Sequence, residues 1–489
     1  MSTVAQQSYF LYGGLVFMKR LNKSVCVIIA VLILAFSALS IFGVSYYTGD
    51  VKHTLFKGFG NLDWGTDVSS STRYVLAPLD VEGESDPLAL LHETAQAIEN
   101  RAIRFGITDY EVFVNESAMQ LSVVVPEGVN SDLSSKDVAT ALIQYGNLTV
   151  RPGNSHEKML VDSAGGAAFV APTDETAETI FINRDNVESA SWMKYTQDGV
   201  DYYYITVKLN EEGQNIMYNA TNVDTGQLYN QTASIWLDDK MLAAPTMTEE
   251  VLNATMSFTD PAITQSKAKL YTAIINEGTL PMTLSVVSVD TTSPALGSGV
   301  TDVLMYAGIA AAVVIAIAML IRYRLLGVVS IFAMIAQFSG IVAILTRFFV
   351  QGRTFQLTMS GAAALAFSVL LSVFSCILMG EKTRDEMNAG TIVGTAVEKA
   401  VEYSRKTIFD INVIIALVSF AGIFTFSSWN LTFAIFGGAG VSGAYNFCYV
   451  AFFGAVLNFV TGYFLPQLMA RSLTSYNAFN KPSMFGGAK

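Results

Sequence analysis

Apolar residues gather into long unbroken runs at the two ends of the chain, and into short alternating or helically spaced patterns between them. The first run, about Val25 to Val44, follows Lys19, Arg20 and Lys23 and ends before Tyr46 and Tyr47. Some 20 apolar residues match the hydrocarbon thickness of a bilayer, and no small-x-small site interrupts them, so an uncleaved membrane anchor is predicted over 25–46. Met18 offers a second start position just before the Lys-Arg pair. Further runs lie at about 303–321, 325–346, 356–380, 410–428 and 432–468. The last is long enough for a span plus a broken or re-entrant piece at Gly437, Gly438, Gly440 and Gly443.

The middle of the chain follows other periods. Strand patterns at Arg73–Leu79, Glu111–Val114, Met119–Val125 and Leu148–Arg151 alternate with helical ones at Pro87–Phe105 and Ser135–Tyr145. In the first helix Leu88, Leu91, Ala95, Ile98 and Ala102 share a face. The order is βαββαβ. A second set repeats it: strand Tyr202–Leu209, helix Glu211–Asn222, strands Ala233–Leu237 and Met241–Ala244, helix Ile263–Glu277, strand Met282–Val289. Two ferredoxin-like halves, at about 70–152 and 199–290, are therefore predicted, with residues 153–198 as a small inserted lobe that the halves do not need in order to pair. The fold class is an α-helical membrane protein of six spans with a separate α+β domain.

Composition agrees with that division. The 489 residues are 52% hydrophobic and only 14% charged. Tyr47 to Val300 holds 34 acidic and 14 basic residues, so the remainder carries a positive excess within a net charge of −12. An acidic aqueous domain excludes a nucleic-acid binder. Lys and Arg fall 13 to 2 in favour of one side when the amino terminus is placed inside. This orients residues 47–300 outward, gives a cytoplasmic amino terminus at 1–24 and a cytoplasmic tail at 473–489, and leaves five further spans within 301–472. Cys26, Cys376 and Cys448 all lie in apolar runs, and His53, His92 and His156 are not spaced as ligands, so neither metal nor cofactor is expected. No nucleotide loop or hydrolytic triad is visible, and no enzyme activity is expected.

Several segments carry a recognisable likeness in order: Ile180–Asn210, LDDKMLAAP at Leu237–Pro245, EGTLPMTL at Glu277–Leu284, SPALG at Ser293–Gly297, RYRLLG at Arg322–Gly327, and GEKTRDEMNAGTIVGTAVEKAVEYSRKTIFDIN at Gly380–Asn412. Across residues 55–472 the chain resembles the SecD family of the SecDF auxiliary complex, part of the RND superfamily. The resemblance implies a half-RND transporter in a prokaryotic cell membrane. Its implied partners are a SecF-like six-span protein, a SecYEG-type channel, unfolded secretory polypeptide and membrane lipids, with late export driven by an ion gradient. An RND-type small-molecule or lipid exporter half, and an uncoupled scaffold subunit, are the alternatives. Two positions depart from the family pattern. Phe374 stands where SecD relatives carry a membrane Asp, beside Ser375, and Leu62 to Asp67 lacks the paired glycines of the family's LDLxGG.

An ionisable group in a span is usually functional. Asp410, with Asn412, is the candidate for ion coupling; the plainer reading is a helix-start Asp paired to Arg405 or Lys406. Glu381, Arg384, Glu386 and Arg405 mark a cytoplasmic coupling segment, read as an amphipathic surface helix with Ile392, Val393, Ala396, Val397 and Val401 turned away from water. Phe169 and Val170 are candidates for substrate contact, against the plainer reading of lobe packing.

Overall fold

The computed structural model describes residues 24–48, 51–79, 85–107, 109–126, 133–161, 167–197, 200–259, 263–294, 297, 299–348, 355–427, 442–476, 479 and 481–486. They form two compact units, one comprising the described residues up to 62, those of 299–427 and those from 443 onward, the other those of 63–297.

In the first unit, among the described residues, six helices are long and apolar enough to cross a membrane. They are Ser24–Phe42, Val300–Tyr323, Leu325–Leu345, Met359–Asn388, Val393–Ser427, and a last one built from Ser442–Asn458 and Leu465–Thr474 with a π-helical turn at Phe459–Phe464 between them. The first is shorter than the predicted 25–46. Gly43 takes φ +69° and packs so closely on Gly58 that a Cβ would lie 2.7 Å from its nitrogen, so the helix stops and Val44–Thr48 pairs as a strand with Val51–Phe56. The fourth and fifth helices overrun their apolar cores and meet across a tight link with Gly390 at φ +88°. The expected free surface helix is thus the extension of two spans. Val393, Ala396, Val397, Ala400 and Val401 are buried against the other helices, together with Met387 and Phe485; Ile392 is exposed. The glycines expected to break the last run, Gly437, Gly438 and Gly440, lie outside the described residues, as does Met18; Gly443 is helical.

The second unit has one shared hydrophobic core and three larger sheets. Helix Pro87–Phe105 forms as predicted, with Pro87 in its first turn, the Asp86 carboxylate accepting from Ala89 N at 3.0 Å, and Gly106 at φ 91° ending it. Its Leu91, Ala95, Ile98 and Ala102 are buried against the sheet. That sheet is antiparallel, in the order Leu284–Thr292, Ser71–Pro78, Gln120–Pro126, Glu111–Asn115.

The edge strand Leu284–Thr292 of that sheet corrects the sequential halves. Leu148–Pro152, expected to close the first half, instead pairs with Ala233–Leu237, in a five-stranded sheet continuing through Lys240–Ala243 and Ala167–Pro172 to His156–Val161. Leu284–Thr292, expected in the second half, closes the first. Residues 153–198 are no separable lobe either. Their strands enter the five-stranded sheet, and Val187–Gln197 forms a ten-position hairpin with Val200–Leu209, extended by Thr255–Phe258. The Asn276 side chain donates to Ala190 O and accepts from Ala190 N, at 2.8 and 2.7 Å, tying this hairpin to helix Gln265–Glu277.

Candidate functional site

Three places draw together residues that the sequence leaves apart. The first is a polar cluster inside the helix bundle. A lone amide or hydroxyl in an apolar helix turns inward, because hydrocarbon offers it no partner. Asn412 and Asn458 are fully buried, and Asn458 Nδ2 donates to Asn412 Oδ1 at 2.9 Å and to Ser375 Oγ at 3.4 Å. Nearby in the same bundle, Gln337 Nε2 donates to Gly454 O at 2.8 Å, while Thr461 Oγ1 donates to Gln337 Oε1. Asn458 Oδ1, Asn412 Nδ2, and the hydroxyls of Ser368 and Ser372 are buried without a hydrogen-bond partner among the described residues. Gly462 permits this geometry, since a Cβ there would fall 2.0 Å from Asn458 Oδ1. The π-helical turn begins at the residue after Asn458, a distortion common at functional positions.

None of these named cluster groups ionises near neutral pH. Phe374, adjacent to Ser375, is 44% exposed on the outside of the bundle. Asp410 is exposed as well, and the structure does not bring it to Asn412. Two residues along a helix is a rotation of about 200°, so one faces outward when the other faces in. The structure thus pairs Asn412 with Asn458 and leaves Asp410 outside that pair.

The second place is the end of the bundle where two family-like segments meet. In RYRLLG, Arg324 at φ 54° makes the link between two helices, and Gly327 lies against the Met319 backbone, where a Cβ would be 2.3 Å from the carbonyl oxygen. Tyr323 packs over Gly380, its hydroxyl donating to Glu381 Oε1 at 2.7 Å, and Arg322 Nη2 stands 2.6 Å from the same oxygen. Glu386 bridges Lys382 at 3.2 Å and Lys399 at 2.9 Å, closing the turn between the fourth and fifth helices. Arg384 and Arg405 are half-buried on those two helices. Glu381 and Glu386 thus serve separate ion pairs, one with Arg322 and two with Lys382 and Lys399.

The third lies in the α+β unit. Arg101, fully buried, donates to the carbonyls of Leu142 at 2.9 Å and Tyr145 at 3.0 Å, and also to those of Gln144 and Gly278. Burial lowers its pKa to about 10, against the upward pull of Asp238 and Glu277. Asp238 in turn accepts from Gly146 N at 2.9 Å and Asn147 N at 2.7 Å. LDDKMLAAP and EGTLPMTL therefore converge on one knot that holds the strand-exchanged sheets together. Phe169 and Val170 lie elsewhere, half-buried in strand Ala167–Pro172, with Phe169 against the His156 ring at 4.5 Å and Val170 in register with Lys240.

Sequence reasoning singled out Asn412 but missed Gln337, Asn458, Thr461 and Arg101. The available signal was a solitary polar residue in an apolar run, or a cation on the apolar face of a helix.

No family model matches the chain. It is similar to Protein translocase subunit SecD from Dehalococcoides mccartyi, 23% identical over 441 residues, covering 86% of this chain and 90% of that protein. It is also similar to Protein translocase subunit SecD from Acidaminococcus fermentans, 24% identical over 336 residues, covering 68% of this chain and 74% of the relative. Among solved structures, the crystal structure of SecDF in a super-membrane-facing form matches with a TM-score of 0.55 and 17% identity, over 91% of this chain and 56% of the other. The chain thus spans just over half of that SecDF chain. The fold is shared, and the SecD resemblance read from the motifs is supported by these comparisons.

Proposed function

We propose that this chain is a SecD-like auxiliary subunit of the Sec protein-export machinery, acting late in translocation. The observation that carries the reading is the SecD alignment spanning 86% of the chain and 90% of the relative. In this reading the acidic α+β unit stands outside the cell membrane, residues 473–489 lie inside, and the closed four-stranded sheet is a ferredoxin-like half completed by an exchanged strand. The order of that sheet supports the last point, because the final strand of a split βαβ unit belongs beside the first. A SecF-like six-span protein completes the transporter, a SecYEG-type channel delivers the exported chain, and Phe169 and Val170 contribute to the surface that meets it.

Ion coupling is assigned to the partner half. The cluster around Asn412 and Asn458 offers amides and hydroxyls, which hydrogen-bond but do not carry a proton away. Phe374 removes the carboxylate that the family resemblance leads one to expect. Glu381 and Glu386 then work as fasteners of the cytoplasmic end, through which movement of the partner reaches the fourth and fifth helices.

The test is a pull-down from native membranes combined with labelling of introduced cysteines by an impermeant reagent. Co-purification of a second six-span protein and the translocase channel is expected, with positions in 85–290 labelled from outside and those near Asp385 protected. Recovery of neither partner would favour an exporter half, and reversed labelling would overturn the orientation.

A further inference from the structure

Between helices Ser24–Phe42 and Leu325–Leu345 and the last span runs a groove of about 790 Å³, within the range of ~300–1,000 Å³ found for ligand sites. Its concavity has a sequence cause. Ala336, Gly340 and Ala343 fall on one face of their helix and leave little side-chain volume there, while Leu457 fills only the position over Gly340. The first helix is fixed beside them by Ser37 Oγ donating to Ser339 Oγ at 3.0 Å and Ser40 Oγ donating to Ser339 O at 2.6 Å.

The walls are almost wholly apolar. Of the lining side chains only Thr461 and Arg347 are polar, and the Thr461 hydroxyl is already committed to Gln337 and to Leu457 O. Arg347 follows the end of its helix, at φ 53°, exposed and without a carboxylate in salt-bridge distance among the described residues. Phe348 closes the same end by stacking on Phe56 at 4.5 Å and meeting Phe36 edge-on at 5.8 Å. A span that ends in an Arg places the charge near the headgroup level of a bilayer.

We infer that this groove is a lipid site, holding an acyl chain of an anionic phospholipid whose phosphate pairs with Arg347. The chemistry on each side matches: hydrocarbon against an almost wholly apolar wall, and a negative headgroup against a guanidinium that has no carboxylate in salt-bridge distance among the described residues, a shape that suits phosphate oxygens. A wholly apolar protein helix would meet the same walls but would leave that guanidinium unneutralised. The inference rests on the helices being embedded in a membrane and stands apart from the SecD reading, so its test does not use export.

The full-length chain is reconstituted in vesicles of phosphatidylcholine with phosphatidylglycerol, extracted mildly and weighed by native mass spectrometry. One retained phosphatidylglycerol per chain is expected. Arg347→Gln, an exposed change that leaves packing intact, should lower that retention about fivefold, the scale of one basic residue beside an anionic headgroup. It should leave phosphatidylcholine retention unchanged. Ala343→Trp, which fills the groove, should abolish retention of both. A photoactivatable phosphatidylglycerol should attach to the first helix, to helix Leu325–Leu345 or to the last span. Equal retention of the two lipids by the unmodified chain, no effect of Arg347→Gln, or adducts spread evenly over all six helices would overturn the assignment.

Discussion

Glu99 is the residue whose surroundings most clearly set a measurable property. Its carboxyl is half-buried, Oε1 accepts from the Tyr110 hydroxyl at 2.6 Å, and Oε2 is buried without a partner among the described residues. Burial raises its pKa from 4.5 to about 7, and the Tyr110 hydrogen bond only partly opposes that. The folded protein therefore holds this proton more tightly than the unfolded chain. Stability is undiminished below pH 4.5, falls as pH rises from about 4.5 to 7, and stays reduced above, by about 2 kcal/mol after allowing for partial exposure. Glu99→Gln should remove that slope and raise the melting temperature at pH 8 while leaving it unchanged at pH 4. Tryptophan fluorescence reports it, since Trp192 and Trp236 lie in the same unit; an unchanged slope would refute the assignment. Within the bundle, the Asn412–Asn458 contact is expected to show a coupling of about 0.6 kcal/mol in a double-mutant cycle with alanine, the usual worth of an interhelical hydrogen bond in a membrane. Zero coupling would mean that the two amides are held by packing alone.

At the scale of elements, local pattern located the four longer helices and eight strands of the α+β unit, left His156–Val161, Ala167–Pro172, Val187–Gln197 and Thr255–Phe258 unread, and misassigned two strand partners. Strand Leu148–Pro152 shows the cause: Leu148, Thr149 and Val150 are all buried, so its apolar run announces a central strand without saying in which sheet. The choice rests on distant contacts, above all Asp238 on the Gly146 and Asn147 amides and Arg101 on the turn just before them. A crosslink checks it. Thr72 and Thr291 are directly opposite in the antiparallel pair, so Thr72→Cys with Thr291→Cys should oxidise to a disulfide. Val75→Cys with Val150→Cys, which the sequential arrangement would bring together, should not. Formation of the second bond in place of the first would restore two independent halves. The same topology reverses the expectation for deleting residues 153–198: the cut removes strands from two sheets and the Ala190–Asn276 tie, so it should prevent folding of the unit.

For the whole molecule, the proposed SecD-like role raises the question of where an ion gradient would enter. Asp410 is exposed at the side of the fifth helix, away from the buried amides, so Asp410→Asn should lower gradient-dependent export modestly, by less than about twofold, consistent with a surface charge. Neutralising a membrane Asp of the partner half should abolish the gradient dependence. The opposite pair of results, measured in reconstituted membranes with and without an ion gradient, would make Asp410 the coupling residue. Phe374→Asp should hinder insertion, since a carboxylate at span depth costs ~2.5–3.5 kcal/mol on insertion scales and the native Phe374 faces outward from the bundle.

By itself the sequence determined the six apolar helices, the acidic α+β region between the first and second, and the segments that resemble SecD. Those features are local: a run of about 20 apolar residues or a period of 3.6 or 2 is legible without knowing what it touches. Only the tertiary structure decided which strand closes the 71–78 sheet, and that Gln337, Asn412, Asn458 and Thr461 form neighbouring buried contacts while Arg101 gathers four carbonyls. Each depends on contacts between residues far apart in the chain, such as Asn412 with Asn458 or Arg101 with Gly278, for which no periodicity leaves a trace. Burial of polar groups forces such contacts to be made, but many partners would satisfy the same local pattern, and packing selects one.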